Sequence, residues 1–226
     1  TRGMSMSVTF SVVLFDVDGT IVDSAPAVMG AFRAVLSDFG LPVPDDRRLR
    51  GYVGPPLWHS FADLGYSGDL LADLVAGYRR MYADHYLDPV PFAGVPQLLR
   101  DLHERGVPLA TATSKQAPMA LAQMQHLGLT DVFDVIAGAT PDPSSTKATV
   151  IREALAQLER RGVDVGAPLL VGDSLWDVIG GHEAGIPVLG VGWGYATAGG
   201  LDDAEEVCEG VEELRSFLLS HTRREG

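Results

Sequence analysis

The stretch Phe15-Asp16-Val17-Asp18-Gly19-Thr20 decides the fold of this chain. It follows Val12-Val13-Leu14, an apolar run with the length and β-branched content of a buried strand. Because side chains alternate in an extended segment, we expect Asp16 and Asp18 to leave the strand end on one side. Two neighbouring carboxylates repel each other, so the motif predicts a bound cation. Gly19 permits a sharp turn whose backbone amides can approach an anion.

The same residues could form an ordinary strand followed by an Asp-Gly turn. The rest of the chain has to decide between this alternative and a cation site. Its 226 residues are 46% hydrophobic, which suits one α/β domain or a core domain with a smaller insertion. The formal charge of −13 argues against a nucleic-acid polymer or an anionic membrane as the main partner.

The single cysteine, Cys208, cannot form an intramolecular disulfide, and no Cys/His pattern suggests a zinc site. We therefore expect a cytoplasmic protein. This agrees with the lack of any apolar run of about 18 residues and of a signal-peptide pattern at the N-terminus. We expect Thr1-Arg2-Gly3 to lie outside the fold, with Met4 or Met6 as the native start.

After the opening strand, a helix is expected to begin near Pro26, capped by Asp23 or Ser24, and to stop at Gly40. The region 45–86 reads as further helices, broken at glycines, without a convincing strand. A Pro-rich connector over 87–94 then closes this insertion.

Strand and helix patterns alternate from there to the end. Helices are predicted at 95–105, 116–127, 146–160, 176–184 and 211–219, and strands at 107–112, 133–137, 168–172 and 187–191. Strands separated by helices pair in parallel through right-handed crossovers, so the pattern predicts a Rossmann-like, doubly wound α/β fold. Ligands of such sheets bind at the carboxyl ends of the strands.

Polar residues follow the predicted strands at that edge. Thr113-Ser114-Lys115 comes after the strand 107–112, with a hydroxyl and free helix amides, although a plain Ser/Thr helix cap would look the same. Lys147 opens the helix after the strand 133–137. It is either a solvated helical lysine or a fixed positive charge for a phosphate or a carboxylate. The helix dipole favours anions at that end, which supports the second reading.

The strand 168–172 ends in Gly172-Asp173-Ser174-Leu175-Trp176-Asp177. Asp173 and Asp177 lie four residues apart, so both would occupy one face of a starting helix. The alternative is a helix cap at Asp173 and a surface residue at Asp177. A cluster of these two with Asp16 and Asp18 would contain only hard oxygen donors, which select Mg²⁺ over zinc or copper.

These positions resemble the four motifs of the haloacid dehalogenase superfamily, in its phosphatase branch. The motifs stand in the family's order: Asp-x-Asp-Gly-Thr at 16–20, a hydroxyl at Thr113, a lysine at Lys147 and Gly-Asp-x-x-x-Asp at 172–177. The helical insertion looks like the small α-helical cap of the phosphoglycolate phosphatase and β-phosphoglucomutase group. The resemblance implies a core domain over 1–22 and 89–226 and a cap domain over 23–88.

Local phrases are similar to a narrower subgroup labelled phosphoglycolate phosphatase-like or 5′-nucleotidase-like. These phrases are Val53-Gly54-Pro55-Pro56-Leu57, Ala112-Thr113-Ser114-Lys115, Ser144-Ser145-Thr146-Lys147 and Gly192-Trp193-Gly194-Tyr195. The resemblance implies an Mg²⁺-dependent phosphomonoester hydrolase for a small phosphorylated metabolite. It leaves open a 5′-nucleotidase-type activity, a β-phosphoglucomutase-like phosphomutase, and a monomer or a homodimer.

The resemblance also implies roles for the acidic residues. Asp16 would attack phosphorus to form an aspartyl-phosphate, and Asp18 would protonate the leaving oxygen and later deprotonate the attacking water. Mg²⁺ would be held by Asp16, Asp173 and the carbonyl of Asp18, with Asp177 in a supporting position.

The remaining roles concern the phosphate and the rest of the substrate. Thr113 and Lys147 would hold phosphoryl oxygens, and Gly19 and Ser114 would add backbone amides. Thr111 precedes Thr113 by two residues and could supply the hydroxyl instead.

In the cap, the loop before a helix is expected to set specificity. Gly54 and Trp58 are its candidate substrate contacts, although Trp58 could equally be buried cap core and His59 a plain surface residue.

Overall fold

The computed structural model of the chain describes residues 8–223, so the predictions for Thr1-Arg2-Gly3, Met4 and Met6 lie outside the described residues. Within this range the strands are β1 (Val12–Phe15), β2 (Val22–Asp23), β3 (Val90–Pro91), β4 (Leu109–Gln116), β5 (Val135–Ala139), β6 (Pro168–Gly172), β7 (Val188–Val191) and β8 (Glu206–Cys208). The helices over the same range are α1 (Ala25–Asp38), α2 (Asp46–Arg50), α3 (Leu57–Asp63), α4 (Gly68–Tyr82), α5 (Val95–Glu104), α6 (Ala117–His126), α7 (Lys147–Arg160), α8 (Leu175–Ala184) and α9 (Val211–His221).

The main sheet of the described chain has six parallel strands in the order β5-β4-β1-β6-β7-β8. β1 lies in its interior, and all four of its residues are buried. Such a strand has to be apolar on both faces, which explains the continuous run Val12–Phe15. The crossover helices cover both faces of the sheet over two apolar clusters. The predicted doubly wound α/β fold is confirmed.

The helices α1 to α4 form a separate apolar core, the helical cap. The ring of Phe32 on α1 is fully buried there, and its centroid lies 4.9 Å from that of Tyr78 on α4. The prediction of helices without a strand over 45–86 is confirmed for this part of the chain. Gly51 and Gly65 follow helices as expected, whereas Gly68 begins α4 rather than breaking a helix.

The two chain segments that enter and leave the cap pair with each other. β2 and β3 are antiparallel, and the amide of Phe92 donates to the carbonyl of Ile21 at 2.9 Å. The sequence predicted only a connector over 87–94. Strands of two residues have too few side chains to show a periodic pattern, so the pairing was missed.

Three further details of the sheet differ from the predictions. β4 extends to Gln116 instead of ending at 112, so Thr113-Ser114-Lys115 belongs to a strand and does not open a helix. A break in register between Thr113 and Gln116 lets the strand continue there. β5 begins two residues later than the predicted strand at 133–137. β8 was missed because it is a three-residue edge strand.

The start of α1 uses Asp23 rather than Ser24 for its polar contact. Oδ1 of Asp23 accepts from the amide of Ala25 at 3.4 Å. The buried hydroxyl of Ser24 has no hydrogen-bond partner among residues 8–223. The helix ends at Asp38, and Gly40 has a φ of 64°, as expected of a stop. Between residues 8 and 223 no helix has both the length and the apolar character needed to cross a membrane.

Candidate active site

Asp16 and Lys147 form a buried ion pair at the carboxyl end of β1. Lys147 is the first residue of α7, and its Nζ lies 2.8 Å from Oδ1 of Asp16 and 2.8 Å from Oδ1 of Asp177. It also donates to the carbonyl of Ala112 at 2.9 Å. A Cβ at Gly180 on α8 would overlap this side chain, so the glycine allows α8 to lie against it. Lys147 therefore faces carboxylates and is not a solvated helical residue.

Asp173 follows β6 and is held at both carboxylate oxygens. Oδ1 accepts from the hydroxyl of Thr20 at 3.1 Å, and Oδ2 accepts from the backbone amide of Tyr195 at 2.7 Å. A Cβ at Gly19 or at Gly194 would overlap the Asp173 carboxylate. Glycine at these two positions lets two backbone segments approach the carboxylate closely.

Asp177 is fully buried on the first turn of α8. Its Oδ2 accepts from the amides of Asp173 (3.1 Å) and Ser174 (3.0 Å) and from the Ser174 hydroxyl (2.8 Å). A carboxylate is favoured at a helix N-terminus, where amides are free and the dipole is positive. These contacts fix the side chain so that Oδ1 points to Lys147, and they exclude the alternative of a surface residue.

The acidic side chains repel one another in this buried setting. Burial, followed by the charge of Asp177, raises the pKa of Asp16 from its ordinary value of 3.8 to about 7, against the lowering effect of Lys147. Burial, Asp177 and Asp16 raise the pKa of Asp173 as well. Although burial alone would lower it, the carboxylates of Asp16 and Asp177 raise the pKa of Lys147. One lysine thus does not neutralise this group of carboxylates.

The site therefore fits a small divalent cation. Oxygen atoms of Asp16, Asp173 and Asp177 lie within 4.8 Å of one another. Three hard oxygen donors with one compensating lysine leave a deficit of positive charge that a cation such as Mg²⁺ would supply. The carboxylate of Asp18 lies outside this group among the described residues. Metal binding through the carbonyl of Asp18 stays a prediction.

Asp18 is instead paired with Lys115, a residue that the sequence reading did not select. Nζ of Lys115 lies 3.1 Å from Oδ1 of Asp18. The strand ends at Phe15, so the alternation that predicted parallel directions for Asp16 and Asp18 no longer applies at Asp18. The two aspartates therefore face different lysines.

The amide of Gly19 makes a hydrogen bond within its own turn. It donates to the carbonyl of Val22 at 2.9 Å, and its expected role as a phosphate-binding amide stays a prediction. The tight turn closes on itself because Gly19 adopts a φ of 87°. Its contribution is the space that it leaves for Asp173.

The two threonines of β4 differ in their hydrogen bonds. The Thr111 hydroxyl donates to the carbonyl of Ala137 at 2.9 Å, inside the sheet. The Thr113 hydroxyl accepts from the amide of Lys115 at 3.1 Å and lies two residues nearer the carboxyl end of the strand. Ser114 is partly buried and borders the cavity described next. Thr113 is thus the better placed of the two hydroxyls for a ligand at this edge.

A cavity of about 390 Å³ lies between the cap and the sheet edge. On the core side it is bordered by Asp18, Ser114 and Lys147. The lining from the cap and the rim includes the aromatic side chains of Tyr52, Trp58, His59 and Trp176 and the guanidinium group of Arg79, and it also includes acidic residues at Asp142 and Glu183. Its volume lies within the range of small-molecule sites.

The candidate specificity residues all border this cavity. Gly54 lies in the loop before α3, and Trp58 is partly buried, with one side against the cap core. The exposed ring of His59 meets Trp176 of the core, with centroids 4.5 Å apart. Trp58 therefore belongs both to the cap core and to the cavity wall, and His59 makes a cap-to-core contact.

Several residues of the site could not be found from sequence patterns. Thr20 is part of the first motif, but the amide of Tyr195, which donates to Asp173, and the side chain of Gln123, whose Oε1 accepts from Lys115 at 2.7 Å, have no local signature. The only available signal for Lys115 was its place beside Thr113. Their positions depend on contacts between distant parts of the chain.

The fold and the site together define an α/β enzyme of the phosphatase class. A buried acidic group and a lysine lie at the carboxyl edge of a parallel sheet, under a helical cap. The chain belongs to the haloacid dehalogenase-like hydrolase family, which its residues 13–191 match. Members of this family generally use a divalent metal, in agreement with the acidic group.

Similar proteins carry several functional names. The chain is 36% identical over 223 residues to tyrosine-protein kinase PtkA of Mycobacterium tuberculosis, covering 96% of this chain and 75% of that protein. It is 30% identical over 214 residues to a 5′-nucleotidase of Pseudomonas aeruginosa, covering 92% and 96%. Other relatives are phosphoglycolate phosphatases. A solved structure of a predicted phosphatase from Clostridium acetobutylicum superposes with a TM-score of 0.86 at 30% identity, covering 93% of this chain and 99% of that one.

Proposed function

We propose that the chain is an Mg²⁺-dependent phosphomonoester hydrolase that acts on a small phosphorylated metabolite through an aspartyl-phosphate on Asp16. One observation carries this proposal. The carboxylates of Asp16, Asp173 and Asp177 converge with Lys147 beside a cavity that a helical cap covers. This arrangement provides a nucleophile, a place for a cation and a closed volume for a substrate.

In the first step, an oxygen of Asp16 forms a bond to phosphorus as the bond from phosphorus to the leaving oxygen breaks. Asp18 gives its proton to that oxygen, and the product alcohol departs. In the second step Asp18 takes a proton from water, whose oxygen bonds to phosphorus and releases Asp16 and inorganic phosphate. Bound Mg²⁺, held by Asp16, Asp173 and the carbonyl of Asp18 with Asp177 in a supporting position, would neutralise negative charge on the phosphoryl group.

Two further residues would hold the phosphoryl oxygens during this transfer. Both Thr113 and the partly buried Ser114 lie at the carboxyl edge of β4, and Ser114 borders the cavity. Lys147 would fix the orientation of Asp16, which it already contacts. Such preorganised polar groups are the main source of catalysis in phosphoryl transfer.

We propose residues 23–88 as the cap domain and residues 1–22 with 89–226 as the core. Pairing of β2 with β3 at the two crossing points supports these boundaries. The cap residues Gly54 and Trp58 would contact the part of the substrate beyond its phosphate. Closing the cap would exclude bulk water from the aspartyl-phosphate.

The substrate class has two candidates. Relatives named phosphoglycolate phosphatase support a small phosphorylated acid. The aromatic lining at Tyr52, Trp58 and Trp176 favours a nucleoside monophosphate, whose base could stack there, as does the relative named 5′-nucleotidase. A phosphomutase would use the same two aspartates, and isomerised sugar phosphate among the products would reveal it.

The test measures phosphate release from phosphoglycolate, nucleoside monophosphates, sugar phosphates and β-glucose 1-phosphate, with Mg²⁺ and with a chelator. We expect Mg²⁺-dependent release that favours one compound class. The D16N variant should lose turnover by at least about 1,000-fold, since it lacks the nucleophile. The matched variant D131N, at an exposed aspartate of the core, should behave as the wild type.

Wild-type turnover in D16N would overturn the nucleophile assignment. Equal rates with Mg²⁺ and with the chelator would overturn the metal requirement. Transfer of phosphate to another sugar or to a protein hydroxyl, without release to water, would replace hydrolysis by a transferase activity.

A further inference from the structure

We propose that Lys115 is a positioning residue for Asp18 and that the hydroxyl of the cap residue Tyr82 helps to hold Lys115 in this position. The inference rests on the proposed function, in which Asp18 moves a proton to the leaving oxygen. It concerns a cluster that the four motifs do not include: Asp18, Lys115, Tyr82 and Gln123.

The ammonium group of Lys115 uses its three donors on three different parts of the chain. It lies 3.1 Å from Oδ1 of Asp18, 3.2 Å from the hydroxyl of Tyr82 and 2.7 Å from Oε1 of Gln123. Its side chain is only 4% exposed. A lysine has three donors and no acceptor, so these contacts account for all of them.

The partners of Lys115 hold it rigidly. Gln123 is fully buried on α6, and its Nε2 donates to the carbonyl of Tyr86 at 3.0 Å. The ring of Tyr82 lies beneath the ammonium group, 5.5 Å from Nζ to the ring centroid, and stacks on Tyr78. Tyr82 lies in the cap, and Gln123 binds the carbonyl of Tyr86 in the segment that leaves the cap. The cluster therefore joins the cap to the catalytic edge.

The local backbone also serves this arrangement. β4 carries an irregularity between Thr113 and Gln116, and Lys115 lies within it. Such irregularities redirect a side chain out of the alternation of the strand. Gly138 on β5 makes room, since a Cβ there would lie 2.5 Å from the carbonyl oxygen of Lys115.

A buried ion pair is poor evidence for stability, because removing two charges from water costs about what their attraction returns. A defined geometry is the better explanation for Lys115. Asp18 lies in the turn after β1, bordering the cavity, and its carboxylate has to aim at the leaving oxygen. Holding Oδ1 on the ammonium group restricts the rotation of the carboxylate and leaves Oδ2 for proton transfer.

The test compares kcat/KM for two phosphomonoesters that differ in leaving group. An alkyl phosphate needs a proton on its leaving oxygen, whereas p-nitrophenyl phosphate releases a stable anion without one. The value of kcat/KM depends only on the steps up to formation of the aspartyl-phosphate. The later role of Asp18, as the base that takes a proton from water, therefore does not affect it. In K115M we expect about a 100-fold loss for the alkyl phosphate, the scale of general acid catalysis, and less than about threefold for p-nitrophenyl phosphate.

Tyr82→Phe removes only the hydroxyl and keeps the stacked ring, so it tests the proposal even if K115M fails to fold. We expect a smaller loss of about 3- to 10-fold, again confined to the alkyl phosphate. Tyr66→Phe is the matched control, because this tyrosine packs against the cap core and is not among the residues that border the cavity in the described structure. It should keep the wild-type ratio between the two substrates.

Equal losses on both substrates in K115M and Tyr82→Phe would overturn the proposal and indicate a structural role. A change confined to KM would overturn it in favour of direct substrate binding. These outcomes differ from failure of the proposed function, in which the wild type itself hydrolyses neither compound.

Discussion

The backbone amide of Tyr195 donates a 2.7 Å hydrogen bond to Oδ2 of Asp173, across 22 residues of sequence. The side chain of the same tyrosine lies in the cap core, and its hydroxyl accepts from the amide of Ala25 at the start of α1 and donates to Asp23. One residue thus connects the acidic group of the core with the segment that leads into the cap. The geometry of Asp173 therefore depends on the loop after β7.

Gly194→Ala tests this dependence. A Cβ at residue 194 would overlap the Asp173 carboxylate, so the loop or the carboxylate has to shift. We expect Mg²⁺ affinity and activity to fall by about 10- to 100-fold, as when partners of metal ligands are altered. Titration of Mg²⁺ against activity and against thermal stability measures both effects.

Gly30→Ala is the matched control for that variant. Gly30 is exposed on α1, and a Cβ there would meet nothing within 4 Å. Alanine favours a helix over glycine by about 0.5–1 kcal/mol, so this variant should be slightly more stable with unchanged Mg²⁺ affinity. Wild-type affinity in Gly194→Ala would show that the loop does not shape Asp173.

The contribution of Asp16 to the stability of the metal-free protein should fall as the pH rises from about 4 to about 7. In the folded state the pKa of Asp16 is raised from 3.8 to about 7, so the folded protein keeps this proton to a higher pH than the unfolded chain does. The resulting stabilisation is complete below the unfolded pKa and is lost as the pH rises through about 7. Urea unfolding in a chelator, over a series of pH values, measures the slope.

The D16N variant isolates the contribution of Asp16 to this slope. It cannot titrate, so its unfolding free energy should depend less on pH between the two pKa values. D131N should keep the wild-type slope. If D16N and D131N show the same slope, Asp16 does not carry a raised pKa in the metal-free protein.

Mg²⁺ should stabilise the folded protein through the three-carboxylate group. A ligand at about 100 times its Kd contributes about 2.7 kcal/mol to the free energy of unfolding when it binds only the folded state. In D173N this stabilisation should be lost, because a buried ligand of the group has become neutral. Thermal unfolding with and without Mg²⁺ measures the difference, and an equal Mg²⁺ effect in D173N would place the ion elsewhere.

Cys208 on β8 should be unreactive in the folded protein. Burial, with the neighbouring charges of Glu213, Glu206 and Glu209, raises the pKa of its thiol to about 12. A disulfide reagent needs the thiolate, so at about pH 8 the native protein should react far more slowly than the denatured one. Denaturation should release one thiol per chain, and fast labelling of the native protein would contradict the buried position.

Local patterns were sufficient for the fold class. Apolar runs, helix periodicity and the glycines and prolines between them predicted the main strands and helices, because these signals act over a few residues. The strand β8 and the β2–β3 pair were not predicted, since short strands are held by backbone hydrogen bonds that carry no side-chain pattern. The extension of β4 to Gln116 was not predicted for a similar reason, because its partner β5 determines where the pairing of the two strands ends.

For the site, the sequence by itself determined which residues could bind a cation and a phosphate, because carboxylates, hydroxyls and lysines have fixed chemistry and the strand ends bring them to one edge. Only the tertiary structure decided which of these residues contact one another. It grouped Asp16, Asp173 and Asp177 around Lys147, turned Asp18 to Lys115 and closed the Gly19 amide on Val22. These choices follow from packing between segments far apart in sequence, where burial and charge balance select one arrangement among several that the local pattern allows.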